Sequence, residues 1–433
     1  MRILIAPVEV AGIAGGLKAG FDEIGVEATL AFSQPHAFDY AASRQVHPLA
    51  RVWSRLGAAF SRAEAKGSRL RYPIWAMWRA WSVLVLIWAL WRFDAFIFLF
   101  GNSLTNTRTE ARLLRRLGKK VAVVYCGSDS RPPAVDGQVC QVPARREPAS
   151  LERHGKKLKA RIANFEENGF ACVNSPFTGQ YHGRPFANWF VLGVPRSAGV
   201  SPPPAPAERS DGAPLRILHS PSNPKVKGTD RVIEIVEALK AGGHPIELAL
   251  LQNVTNDRVL EEIDKADVVV DQLYSDTPMA SFAVEAAQRG KPVLVGGYSA
   301  APEFRPALSE HPPVTMFVHP DEASAALERL VADADLRHDL GRRAEAFVRS
   351  HWSPAAVAGR YLRLLKGEAP AEWFVEPGAY IYVHGAGLPE AEARAIVGAV
   401  VAERGEGALQ LDHLPALREA FRRFGAGEEA PAP

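Results

Sequence analysis

The sequence predicts an α/β protein built from two Rossmann-like domains, on three observations. Short apolar runs alternate with helical stretches in two separate series. A proline-rich break divides the series, and 433 residues exceed one ordinary core. Apolar residues make up 47% and charged residues 23%, which are globular values. A net charge of +3 leaves the whole chain without an electrostatic footprint for nucleic acid. Cys126, Cys140 and Cys172 are too few and too scattered for a disulfide framework or a zinc site, and fit a reducing compartment.

The first domain is expected over 1–197. Ile3–Val8 reads as a strand, and Ala11–Gly25 as a helix after a Gly-containing turn. Ala95–Phe100 and Val121–Tyr125 read as strands around a helix at Thr109–Leu117. The linker is placed at 198–214, where five prolines make a stiff, extended run. The second domain, 215–365, repeats the alternation. Its expected strands are Leu215–His219, Ile246–Leu251, Val268–Leu273 and Pro292–Val295, and its helices are Thr229–Gly242, Arg258–Ala266 and Ser281–Arg289. Two such halves put a ligand cleft between them, near the carboxyl ends of the strands. Residues 366–433 read as a small βαβα appendage: strand Tyr380–His384, helix Glu390–Arg404, strand Ala408–Leu411, helix Pro415–Phe424, and a disordered tail from Gly427.

The amino terminus reads directly as a strand and lacks the layout of a secretion signal, so a cytoplasmic location is expected. The apolar run Ser82–Trp91 is shorter than the about 20 residues needed to cross a bilayer. Residues 51–92 carry eight Arg/Lys against one acid, Glu64, and six of the nine tryptophans. That combination suits a helix lying on an anionic membrane surface. The other reading is a core helix over Pro73–Trp91 with Trp75, Trp78 and Trp81 packed inward.

Three segments of the second half resemble the GT-B glycosyltransferases of family 4. They are His219–Asp230 with its Lys227-Gly228, the strand Ala266–Asp271, and Ser281–Val293 with its Glu285-Ala286 and Gly290-Lys291-Pro292-Val293. The helices from Asp321 to Leu365 extend the resemblance, which covers roughly residues 215–365. It is weaker over Phe98–Leu104, Cys126–Asp129 and Asp271–Leu273, which resemble a polysaccharide-linked branch. The sequence departs from the family twice: Thr277 stands where a first Glu is usual, and Ser222 where an Arg is common.

The resemblance implies a GT-B fold and transfer of a sugar from a nucleotide-diphosphate sugar to a glycan or lipid-linked acceptor. The product would belong to cell-surface polysaccharide or lipopolysaccharide. It implies retention of anomeric configuration, with the departing phosphate taking the acceptor proton, and neither cofactor nor metal. The chemistry of the residues agrees. Lys227 before a helix start offers charge and amides to a pyrophosphate, with Ser222 and Asn223 as further donors. Glu285 offers a carboxylate to two vicinal ribose hydroxyls. The loop Ser275–Ser281 leads its amides, at Thr277, Met279, Ala280 and Ser281, toward the β-phosphate. Asp276 is either a sugar contact or a helix N-cap. Lys225 is a lesser phosphate candidate, and Asp271 reads as a turn residue.

In the first half, Gly12 lets a ligand approach the backbone closely, although its turn is not a Gly-x-Gly-x-x-Gly fingerprint. Asp129, with Asn102 and Ser103, lies where βα loops build sites, and is expected to hold the acceptor or act as base. The competing role for Asp129 is an N-cap or Asx-turn residue beside Ser128 and Ser130. His36 is a further cleft candidate. Two other functions share this fold: a sugar-nucleotide 2-epimerase, for which no set of acid/base residues is apparent, and a non-catalytic nucleotide-binding scaffold.

Overall fold

A computed structural model describes residues 1–35, 47–196 and 213–428. His36 and nearly all of the expected linker lie outside the described residues. So does most of the tail.

The first sheet contains β1 (Ile3–Ala6), β2 (Ala28–Leu30), β3 (Ala95–Leu99), β4 (Lys120–Val124), β5 (Ala171–Asn174) and β6 (Phe186–Asn188). The second contains β7 (Leu215–His219), β8 (Ile246–Leu250), β9 (Val268–Val270), β10 (Val293–Gly296) and β11 (Met316–Val318). A last short strand, β12 (Phe374–Val375), returns to the first sheet. The strand orders are β12-β6-β5-β4-β3-β1-β2 and β11-β10-β9-β7-β8. Every pairing is parallel except β12 with β6. Parallel strands covered on both faces must be apolar throughout, and all five residues of β3 are buried. The two parallel sheets with a cleft at their carboxyl edges form the GT-B arrangement.

The chain returns to the first sheet late. Helix Pro354–Lys366 packs on helix α1 (Ile13–Glu23), so closely that a side chain at Gly20 would collide with the Pro354 carbonyl oxygen. The expected division at residue 365 therefore assigns this helix to the wrong layer. Amphipathicity alone does not say which sheet a helix covers.

The expected βαβα appendage is not present as such. Helices Glu390–Arg404 and Pro415–Gly425 form, but neither expected strand does. Tyr382 is fully buried in a cluster with Phe177 and Phe304, at centroid distances of 5.1 and 5.5 Å, so ring packing organises 380–384 rather than a ladder. Glu406–Leu409 is a 3-10 turn, and Gln410 at φ 61° breaks any extended run. The segment instead straps the two halves together. Gly137 N–H donates to the Ala386 carbonyl (2.8 Å), and Gly387 N–H to the Tyr274 carbonyl (2.7 Å).

Between β2 and β3 the chain makes a helical hairpin, α2 (Pro48–Ala65) and α3 (Arg71–Arg92). α3 corrects the expectation of a short apolar run. It has 22 residues and is long and apolar enough to cross a membrane by length and composition. One face packs in the hairpin, where Trp53 Nε1–H donates to Ser82 Oγ (2.8 Å) and Trp81 Nε1–H to the Leu49 carbonyl (3.1 Å). The other face is open: Tyr72, Trp75, Val83, Ile87 and Trp91 are exposed, Trp91 by 91%. The inward reading of the tryptophans is partial for Trp78 and Trp81 and fails for Trp75, while Trp53 on α2 is the one fully buried in the hairpin.

Candidate functional site

A cavity of about 570 Å³ opens between the carboxyl edges of β1, β4, β7 and β9. Its second-domain wall gathers most of the residues singled out in sequence. Ser222, Lys227, Thr277, Met279, Ala280 and Ser281 line it. So do Asp271, Asp276 and Glu285.

Lys227 ends the short helix Pro224–Lys227, and Gly228 at φ 71° turns the chain into helix Thr229–Ala241. The Lys227 ammonium lies 3.0 Å from Asp271 Oδ1. Asp271 is buried, and its Oδ2 has no hydrogen-bond partner. Asp271 is thus more than the expected turn residue: it holds the lysine at the cavity wall. A buried carboxylate with an open oxygen also favours a second donor.

Glu285 sits on helix Ser281–Ala287, and its carboxylate is already engaged. Asn256 Nδ2 donates to it at 2.8 Å, and the Arg196 guanidinium pairs with it. Sequence reasoning missed both partners. Arg196 comes from the far end of the first domain, and no local pattern ties it to Glu285.

Asp276 is neither an N-cap nor an open sugar ligand. Its carboxylate accepts from Arg131 Nε at 3.0 Å. Arg131 also reaches Asp136 Oδ2 at 3.2 Å, and all three residues are buried. Burial disfavours the guanidinium charge, but the two carboxylates outweigh it and hold its pKa above the usual range. This triad bolts the loop after β9 to the loop after β4. Asn223 adds a second tie, donating to Gln138 and Gln141 at 3.1 and 2.9 Å. It is therefore an interdomain contact and does not line the cavity. Lys225 is exposed outside the cavity.

The first-domain candidates are displaced from the cavity. At the turn of Gly12, φ is 80°, but the space above it is filled: a Cβ there would collide with the Arg196 guanidinium. The first amides of α1 are also taken, because Glu9 accepts from Ala14 N–H (3.1 Å) and Gly15 N–H (3.2 Å). Burial leads the effects on Glu9 and raises its pKa. Gly12 therefore offers no open approach to the backbone. The signal for Glu9 was legible as a carboxylate just before a helix, and was missed.

Asp129 is 1% exposed and does not line the cavity. Its Oδ1 accepts from Cys126 N–H at 2.9 Å, three residues back, so it closes its own loop without forming an Asx-turn, and its Oδ2 has no partner among the described residues. Burial pushes its pKa up to about 6. Ser103 Oγ donates to the buried Glu110 at 2.8 Å, and Asn102 Nδ2 to the Phe100 carbonyl at 2.8 Å. Both organise their own loop. Asp129, Asn102 and Ser103, expected at the acceptor site, thus do not line this cavity. The first-domain residues that do face the cavity include Gly127, Ser128, Gln138 and Ser175.

Among the described residues, one group has metal-capable side chains close together: Glu166, Cys172 and His182. His182 Nδ1 is 2.8 Å from Glu166, and its Nε2 is 3.0 Å from Asn174 Nδ2. Both ring nitrogens have partners, and burial pushes the Cys172 thiol up, so the group is a packed polar core.

No protein-family model matches the chain, and no curated protein matches it. Solved structures similar to it include an α,α-trehalose 6-phosphate synthase from Burkholderia multivorans, at a TM-score of 0.48 and 11% identity over 84% of this chain and 98% of that one. The glycotransferase of kitacinnamycin is similar at a TM-score of 0.42 and 15% identity, over 85% and 99%. WaaG, a glycosyltransferase involved in lipopolysaccharide biosynthesis, is similar at 0.42 and 12%, over 85% and 100%.

Proposed function

We propose that this chain is a glycosyltransferase that moves a sugar from a nucleotide-diphosphate sugar to a glycan or lipid-linked acceptor. One observation carries the reading. Lys227 and Glu285, the residues that the family resemblance assigns to the pyrophosphate and the ribose, line the same cavity between the two sheets. A cavity of about 570 Å³ is within the usual range for a small-molecule site.

The leaving group is a diphosphate, so negative charge grows there as the glycosidic bond breaks. A lysine held at the wall by Asp271 supplies positive charge where that growth occurs. Ser222 adds a hydroxyl donor. Glu285 accepts from ribose hydroxyls once its carboxylate is shared with, or released by, Arg196. We extend the proposal to a retaining outcome, with no metal or other cofactor and no nucleic-acid partner. The acceptor belongs to cell-surface polysaccharide or lipopolysaccharide synthesis. The enzyme works in the cytoplasm, peripherally on the inner face of the membrane, through residues 51–92. The exposed apolar stripe of α3 and its flanking arginines support that placement.

A second reading has its own support. Lys227 is paired with Asp271 and Glu285 with Arg196, so both key side chains have protein partners. That suits a non-catalytic nucleotide-binding scaffold. Release of nucleoside diphosphate from a panel of sugar nucleotides, with membrane extract as acceptor, separates the two. Turnover that Lys227→Ala and Glu285→Ala each abolish supports transfer. Nucleotide binding with no turnover leaves the scaffold, and unchanged turnover in both variants defeats the site assignment.

A further inference from the structure

A second groove of about 690 Å³ lies on the seam between the halves and shares no lining residue with the donor cavity. Its floor is Phe190 and Trp352, each 1% exposed, with the half-buried Arg360. One rim is the segment Glu372–Tyr380, anchored to the first sheet by the antiparallel pairing of β12 with β6. The rim presents three aromatic rings, Trp373, Phe374 and Tyr380. Phe374 is 36% exposed, unusual for so large an apolar residue on a short strand.

The charges choose the ligand class. Glu310, Glu372 and Glu376 stand exposed around the groove, and none forms an ion pair among the described residues. Among the described residues, Arg360 beneath them has no carboxylate partner either. Its Nε donates to the Leu192 carbonyl at 3.0 Å, and its guanidinium also reaches the His351 carbonyl. A cationic ligand would meet this guanidinium at the floor. An anionic one would meet three carboxylates at the rim. An uncharged, hydroxyl-rich ligand suits both, because carboxylates accept from pairs of hydroxyls and guanidinium donates to them. Flat aromatic rings add apolar area for the C–H faces of a pyranose.

We propose that this groove holds an uncharged oligosaccharide, as a second carbohydrate site apart from the donor cavity. The ligand class rests on the glycosyltransferase reading. The groove itself depends on neither Lys227 nor Glu285.

The test uses the full chain, with maltotriose, cellotriose and mannotriose as neutral probes, and spermine and tripolyphosphate as charged ones. Binding is followed by saturation-transfer NMR and tryptophan fluorescence. At least one trisaccharide is expected to bind, with Trp373→Ala and Glu376→Gln each weakening it about tenfold or more. UDP and GDP binding is expected to stay within about twofold in both variants. The proposal is overturned if no trisaccharide binds the wild type, if only spermine or tripolyphosphate binds, or if both variants bind as the wild type does. Should Trp373→Ala fail to fold, the exposed Glu376→Gln decides alone. Trisaccharide binding without nucleotide binding would sink the donor-cavity reading and leave the groove standing.

Discussion

The two walls of the donor cavity use similar residue types for opposite purposes. On the second-domain wall, Lys227, Asp271 and Glu285 face the cavity, and each is paired with another side chain. On the first-domain side, one Asp129 oxygen accepts from Cys126 N–H, Ser103 Oγ donates to Glu110 within its own loop, and Glu9 accepts from the first amides of α1. A polar residue after a parallel strand is therefore not by itself a site residue. It must first be shown not to be closing its own loop, which short side chains beside a turn do readily.

The largest effect should come from the bolt between the walls. Arg131→Ala leaves Asp276 and Asp136 buried without their shared cation, and removing one partner of such a group destabilises by about 3–5 kcal/mol. Urea unfolding is the measurement. A midpoint near that of the wild type would mean that the walls are not coupled through Arg131, and that they can be compared as independent surfaces.

Lys227→Ala comes next. Loss of one donor aimed at a developing charge lowers turnover about 100- to 1,000-fold. The same assay on Asn102→Ala and Ser103→Ala should give changes below about tenfold, since neither faces the cavity. The contrast fails if Asn102→Ala proves as damaging as Lys227→Ala while its melting point is unchanged.

Asp129 sharpens the comparison through pH. Its folded pKa of about 6 lies above the ordinary 3.8, so the folded state holds this proton more tightly than the unfolded one does. The resulting stabilisation is full below about pH 4 and fades as pH rises through about 6. The difference between the two ends of that window reaches about 3 kcal/mol, because each tenfold change in proton affinity is worth about 1.4 kcal/mol. Asp129→Asn should flatten the stability profile between pH 4 and 7 and leave a measurable turnover. A wild-type profile retained in the variant would assign the proton elsewhere, and complete loss of turnover in a folded variant would restore Asp129 as the base.

Much of the second half was legible because its signals are local. Leu215–His219 reads as the strand it is, and Lys227 and Glu285 sit at fixed distances from strand ends. What escaped depends on distant chain. Arg196 meets Glu285 across 89 positions, by the difference of their numbers. Arg131 claims Asp276 across 145 positions. The apolar Tyr380–Val383 run carries a strand's composition, but Tyr382 is used for ring packing, which no alternation pattern distinguishes from a ladder. β12 is two residues long and pairs across more than 180 positions, too short for any periodicity to register.

The smallest effect concerns the surface that neither wall uses. The exposed stripe on α3 ends at Trp91, and Arg51, Arg55 and Arg62 lie on α2 beside it. On a bilayer with anionic lipid, each basic residue near the surface adds about 1 kcal/mol, or about fivefold in partitioning. Arg55→Ala should therefore weaken co-sedimentation with phosphatidylserine vesicles about fivefold and have no effect with neutral ones. Ile87→Glu should weaken it on both, because it removes apolar area that inserts below the headgroups. Turnover on a soluble acceptor should stay unchanged in both variants, since α3 does not line the donor cavity. If Arg55→Ala loses binding equally on neutral vesicles, the contact is not electrostatic. If Ile87→Glu binds as the wild type does, the open face of α3 covers something other than lipid.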